Sequence, residues 1–168
     1  MNSSPLALSH DEAATTKIRP WCDTDLDQLI VIAQSTGPHS WSENDLRDSF
    51  DQAHLGYVLV VRHEICGYCI VRCLGSELEL LDISIAHSRQ SRGLGYALLR
   101  HVLADSKFTH VKEVWLEVRE SNLRARSLYS RLGFTEQGMR KNYYPIKCES
   151  GEYGRENAIV MNFSRARL

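Results

Sequence analysis

The 168-residue chain contains no apolar run approaching membrane-spanning length, which argues against a helical membrane span. Its polar beginning lacks the apolar core of a signal peptide, so the expected location is cytoplasmic with no membrane partner. Charge of one sign is also missing. Twenty Lys and Arg stand against 21 Asp and Glu, a net charge of -1, and no basic surplus points to direct nucleic-acid binding. The five cysteines show no paired zinc spacing. Cys66 and Cys69 fall on opposite faces of an apparent strand, Cys73 shares the face of Cys69, and Cys22 and Cys148 are remote. An odd count without a signal peptide suggests reduced thiols. The seven histidines form no His-x-x-x-His pair, so no metal is expected. There is no internal repeat, low-complexity tract or linker.

What is present fits one globular domain. Hydrophobic residues make up 43% and charged residues 24%, enough for a sizeable core. Residues 1–16 read as a flexible lead-in and 17–168 as a single domain. Lys17 to Arg19 reads as a short strand, stopped by Pro20. Leu26, Leu29, Ile30 and Ala33 form a helical stripe ending near Gly37-Pro38. Ser42 with Asp45 can cap a second helix carrying Leu46 and Phe50. Tyr57–Val61, Ile65–Cys73 and Leu78–Ile85 read as strands of an antiparallel meander. Later strands are expected near Phe134–Arg140 and Arg155–Phe163.

The most informative stretch runs from Arg89 to Tyr96. It follows the apolar run ending at Ile85 and opens a helical pattern carrying Leu94, Leu98, Leu99, Val102 and Leu103. A strand that feeds a glycine turn and then a helix makes an anion site, because first-turn N–H groups lack helical partners and the dipole favours negative charge. Gly93 and Gly95 let a phosphate approach the backbone, and Arg89 and Arg92 could add charge-assisted contacts. A pyrophosphate ligand is therefore expected. No Gly-Lys-Ser/Thr follows, which excludes a P-loop. The position where a Rossmann turn needs a third small residue holds Leu98. An ordinary strand-to-helix turn remains the alternative on these residues alone.

Downstream, Val114, Leu116 and Val118 alternate on one strand face, with Trp115 and Glu117 on the other. Asn122 can cap the next helix, whose stripe is Ala125, Leu128, Tyr129 and Leu132, and Gly133 suits its end.

Two of these segments resemble motifs of the GNAT superfamily of N-acetyltransferases. The first is Gln90-Ser91-Arg92-Gly93-Leu94-Gly95. The second runs from Leu116-Glu117-Val118-Arg119 through Ser121-Asn122, Ala125 and Leu128-Tyr129 to Gly133-Phe134. Trp41-Ser42-Glu43, Asn142-Tyr143-Tyr144-Pro145 and Gly154-Arg155-Glu156-Asn157 extend the likeness to the bacterial ribosomal-protein-alanine N-acetyltransferases of the RimI type, over about Ile18 to Phe163. The likeness implies an α/β fold: a mixed, mostly antiparallel central sheet, helices on both faces, and a V-shaped splay between two central strands. It implies acetyl-CoA as co-substrate, held by the backbone of Ile83, Ser84 and Ile85, by Ser91, Arg92, Gly93, Leu94, Gly95 and Tyr96, and by Asn122. The chain departs from the usual pattern at Asp82-Ile83-Ser84-Ile85-Ala86-His87, where Asn-Ile-Ala-Val-x-Pro is common.

The resemblance further implies acetyl transfer to the N-terminal alanine of the eighteenth small-subunit ribosomal protein. Glu117 would be the proton acceptor and Tyr129 the donor, against the plainer readings of a solvated glutamate and a core aromatic. A phenol keeps its proton at neutral pH. Trp41, Tyr143 and Tyr144 are candidates to line the peptide's entrance, unless each simply packs. Glu43, Asp45, Asp48 and Asp51 could attract a basic tail, although a solvated helix face explains them equally. For Asp82 a fixed hydrogen-bonding carboxylate and a substrate contact are both open. Rival readings are an acetyltransferase for lysine or a small amine, and a CoA-binding sensor without catalysis. No oligomeric state follows from the sequence.

Overall fold

The computed structural model describes residues 15–37, 39–52, 54–147 and 153–165. The described residues form seven strands and four α-helices. In chain order they are β1 Thr16–Pro20, α1 Leu26–Ser35, α2 Glu43–Asp51, β2 Leu55–Val61, β3 Glu64–Leu74 and β4 Glu77–Ile85, then α3 Leu94–Ala104, β5 Glu113–Arg119, α4 Leu123–Arg131, β6 Thr135–Lys147 and β7 Tyr153–Ser164. One sheet takes the strands in the order β1-β2-β3-β4-β5-β7-β6. The β1–β2, β2–β3, β5–β7 and β6–β7 ladders are antiparallel and the β4–β5 ladder is parallel. That parallel ladder runs from Glu77↔Glu113 to Leu80↔Leu116. The mixed, mostly antiparallel sheet is the one expected.

Cα packing divides the chain into residues 1–73 with 81–108, and residues 74–80 with 109–168. In the first unit, Leu29, Ile30 and Ala33 of the α1 stripe are buried and join Leu46, Val58, Tyr68 and Ile70 in one core. The α1 helix stops where the Thr36 hydroxyl bonds the Ala33 carbonyl at 2.8 Å and Gly37 turns to a φ of 119°. The Ser42–Asp45 capping box starts α2 as expected: Asp45 N–H reaches Ser42 Oγ at 3.2 Å, and the Asp45 carboxylate accepts the Ser42 N–H at 2.8 Å. Phe50 from α2 stacks on Trp21 with ring centroids 3.8 Å apart. Gly56 is fixed by that same tryptophan, since a Cβ there would lie 2.0 Å from the indole. Arg62 and His63, at φ 48° and 72°, make the two-residue β2–β3 hairpin turn.

In the second unit, Val114, Leu116 and Val118 are buried, as the alternation along β5 requires. Asn122 caps α4 by accepting the Ala125 N–H at 3.1 Å, and Gly133 leaves that helix at φ 96°. The last hairpin departs from expectation. β6 does not end near Arg140 but continues to Lys147, so Asn142-Tyr143-Tyr144-Pro145 lies within the strand. The sequence hides this because Asn and Pro are strand-poor residues; here they sit at a bulge and on an edge strand. Residues 1–14 of the expected lead-in, and Cys148, lie outside the described residues.

Candidate active site

The first unit supplies the glycine turn. β4 ends against β3, where Ala86 N–H donates to the Cys66 carbonyl at 2.8 Å. A Cβ on Gly67 would meet the Ser84 carbonyl oxygen at 2.8 Å and the Ile85 side chain at 2.4 Å, so glycine permits this close approach. The Gln90 amide donates to the Ile85 carbonyl at 2.9 Å, tying the turn to the strand end. Ser91 at φ 62° and Gly93 at φ 79° are both left-handed, and Gly93 is the N-cap of α3. The first helical bond runs from Ala97 N–H to Gly93 O at 3.0 Å, so helix geometry aims the amides of Leu94 and Gly95 outward. Concave backbone amides of this kind suit an anion. Arg89 pairs with Glu64 at 3.1 Å and Arg92 reaches the Ser88 carbonyl at 3.4 Å; neither bond involves the turn's amides.

Just before that strand end lies a polar cluster. Tyr68 donates to Asp82 Oδ2 at 2.7 Å, and the Ser84 side chain bonds within the same group. Asp82 is thus a fixed hydrogen-bonding carboxylate. Burial drives its pKa up to about 6, a rise that the bonds from Tyr68, Ile83 and Ser84 oppose and the nearby Asp45 charge supports. A carboxyl raised from the ordinary ~3.9 binds its proton better folded than unfolded, so its stabilising contribution is full below pH ~4 and is lost as pH rises through about 6. Asp82→Asn should therefore flatten the loss of stability between pH 4 and 7, a difference on the order of 2 kcal/mol by denaturant titration. An unchanged slope would remove Asp82 as its source.

The second unit carries the carboxylate on the open face of β5. Register places Glu117 beside Val160, and Arg119 beside Ala158, which itself faces Arg140. Those residues, with Glu156 and Tyr144, therefore project from one side of the sheet. Glu117 Oε1 lies 2.8 Å from Arg140 Nε, and Tyr143 donates a hydrogen bond to the same carboxylate. That bond, then the Glu117 charge, raises the Tyr143 phenol above its ordinary pKa. Tyr144 is pushed up to about 12, first by burial and then by Glu117. Arg119 lies 4.4 Å from the Tyr144 ring centroid and 3.3 Å from Glu156. Burial would raise Glu156, but bonds from Ser121 and Arg119 outweigh it and hold this carboxyl below its usual range.

The sequence candidates are thus distributed unevenly. Glu117, Tyr143 and Tyr144 come together. Tyr129 is buried against Phe134, with ring centroids 5.8 Å apart, and Phe134 meets Phe163 at 5.5 Å. Asn122 acts as N-cap. Trp41 is half-buried against the α1–α2 core. Of the acidic run on α2, Asp45 is engaged in its cap and Glu43 pairs with Arg47 at 2.7 Å, while Asp48 and Asp51 are exposed. Arg140 was not singled out from sequence, and only its register opposite Ala158 could have marked it. Among the described residues, no group of three His, Cys, Asp or Glu side chains could hold a metal, and no helix is long and apolar enough to cross a membrane.

The sheet order, the glycine turn into α3 and the carboxylate strand define an acyl-transferring α/β enzyme of one family. The sequence profile of the acetyltransferase (GNAT) family matches residues 26–134, and the chain belongs to that family as an N-acetyltransferase. It is 39% identical over 137 residues to the ribosomal protein bS18-alanine N-acetyltransferase of Haemophilus influenzae, covering 82% of this chain and 90% of that one. The Escherichia coli enzyme of that name is 35% identical over 138 residues, with the same coverage. The crystal structure of the Escherichia coli ribosomal-protein-S18-alanine N-acetyltransferase superposes with a TM-score of 0.79 at 33% identity, covering 89% of this chain and 93% of that one.

Proposed function

We propose that this protein transfers the acetyl group of acetyl-CoA to the N-terminal alanine of the eighteenth small-subunit ribosomal protein, in the cytoplasm. The observation that carries this reading is the Glu117 carboxylate, held between Arg140 and the tyrosine pair on the open face of β5. Relatives bearing that activity in their names, at 35% and 39% identity, support it.

Acetyl-CoA supplies the thioester carbon that the amine attacks. The left-handed Ser91 and Gly93, with the outward amides of Leu94 and Gly95, fit a pyrophosphate; Arg92 and Tyr96 flank it. Backbone groups of Ile83, Ser84 and Ile85 hold the pantetheine, and Asn122 adds a contact beside its capping role. An α-amine has a pKa of about 7.7–8.0 against about 10.4 for lysine, so deprotonating it near neutral pH is about 3 kcal/mol easier. Glu117 takes that proton, directly or through one water. A carboxylate has about four lone-pair sites, so the bonds to Arg140 and Tyr143 leave it able to accept. Tyr129 gives a proton to the departing thiolate. Trp41, Tyr143 and Tyr144 line the peptide site.

The test is intact-mass analysis after incubation with acetyl-CoA and two basic peptides. One starts with a free alanine; the other is blocked at its N-terminus and carries an internal lysine. The expected result is an acetyl gain on the first alone. Gain on the lysine peptide would overturn the proposed substrate, and no gain on either, with acetyl-CoA bound, would overturn the catalytic reading in favour of a sensor.

A further inference from the structure

β6 reaches Glu117 in an unusual way. Arg140 lies opposite Ala158 and Tyr144 opposite Glu156, so an advance of four residues on β6 meets only two on β7. Two extra residues form a bulge there. In an unbroken strand, side chains an odd number apart point to opposite faces, and the sheet would separate Arg140 from Tyr143. Instead both meet the Glu117 carboxylate. The reversal occurs at Asn142, whose φ of 53° is left-handed, a conformation that asparagine adopts more readily than most residues.

Three consecutive side chains of β7 fasten this bulge. Arg155 Nη1 donates to the Tyr143 carbonyl at 3.0 Å. Glu156 holds Arg119, whose Nη1 also donates to the Pro145 carbonyl at 3.2 Å. Asn157 makes the central tie: its Oδ1 accepts the Asn142 N–H at 3.1 Å, and its Nδ2 donates to Glu120 Oε2 at 2.9 Å. Glu120 N–H returns to the Asn157 carbonyl at 3.1 Å. One side chain thus joins the end of β5 to the left-handed residue of β6.

We propose that Asn157 is a positioning residue for acetyl transfer, fixing through the Asn142 amide the bulge that sets Tyr143 and Arg140 on Glu117. This rests on the reading of Glu117 as the base. Without the Asn157 amide, the Asn142 peptide loses the partner that holds its left-handed turn, and Tyr143 is no longer returned to the Glu117 face.

The test compares Asn157→Ala, Asn157→Asp and the double variant Asn157→Asp with Glu120→Gln. Aspartate keeps the acceptor for Asn142 N–H but sets a second carboxylate against Glu120; glutamine at 120 supplies a donor that restores the pair with polarity reversed. Asn157→Ala and Asn157→Asp should each lower kcat about tenfold, the scale of one lost hydrogen bond, with KM for acetyl-CoA unchanged. The double variant should recover to within about twofold of wild type. Independently of activity, isotope-labelled tyrosine NMR should show the Tyr143 phenol titrating above ~10 in wild type and in the double variant, and near ~10 in Asn157→Ala. An unmoved Tyr143 titration in Asn157→Ala, or a kcat loss that the double variant does not recover, would overturn the proposal. Wild-type kcat in Glu117→Gln would overturn the base reading instead, and the Tyr143 titration would still decide whether Asn157 fixes the bulge.

Discussion

Glu117→Gln is expected to lower kcat by about 10²- to 10⁴-fold at neutral pH, the usual worth of a positioned acid or base, with acetyl-CoA binding intact. Glutamine keeps the size of the side chain and an acceptor for the Tyr143 hydroxyl, so the loss isolates the proton acceptor. Its pH dependence carries the sign. Below about pH 7.7 an α-amine is mostly protonated and needs a base, whereas near pH 9 most of it is already neutral. The deficit of Glu117→Gln should therefore shrink as pH rises through that window. Tyr129→Phe should lose a comparable factor below about pH 8, where a departing thiolate, with a free-thiol pKa of about 8.5, still gains from being protonated. Tyr129 packs on Phe134, and phenylalanine preserves that contact. Stopped-assay rates on an alanine-initiated peptide across pH 6.5–9.5 check both variants. Less than a threefold loss in Glu117→Gln would sink the base assignment.

How far the sequence foretold this arrangement differs between the two ends of β5. Alternation alone placed Glu117 on the face opposite Val114, Leu116 and Val118, since a period of two is a local property of any half-buried strand. The Asn122 cap and the Ser42–Asp45 box were legible for the same reason: each is a bond between residues three apart. The partners of Glu117 were not legible. Arg140 is 23 positions away and reaches the carboxylate only through the β5–β7–β6 order, and Tyr143 joins it only because Asn142 breaks the alternation. A bulge adds residues without leaving a periodic trace, and the Gly-Arg-Glu-Asn run that fastens it looked like a family signature rather than a set of ties to β6. Asp82 shows the opposite case. Its departure from the common asparagine was visible, yet its hydrogen bond from Tyr68 depends on β3 lying alongside.

The largest effect on co-substrate binding is expected at Gly93. Its φ of 79° costs an ordinary L-residue about 1–2 kcal/mol, and Gly93→Ala should lose about that much in stability together with some affinity. Gly93→Asp separates strain from charge. Aspartate tolerates the left-handed region better than most residues, so the fold should survive nearly as well as in the alanine variant. Its carboxylate, however, lies next to the Leu94 and Gly95 amides proposed to hold the pyrophosphate, and a negative group there would both occupy donors and repel the ligand. Hydrogen bonds to charged groups are worth about 1.5–3 kcal/mol each, so the loss of two raises the acetyl-CoA Kd by at least about 10²-fold. Calorimetric titration of Gly93→Ala and Gly93→Asp, alongside their melting temperatures, distinguishes the two costs. Equal Kd values for both variants would mean that backbone strain, not displacement of the phosphate, governs binding at this turn, and the anion-site reading of α3 would fall.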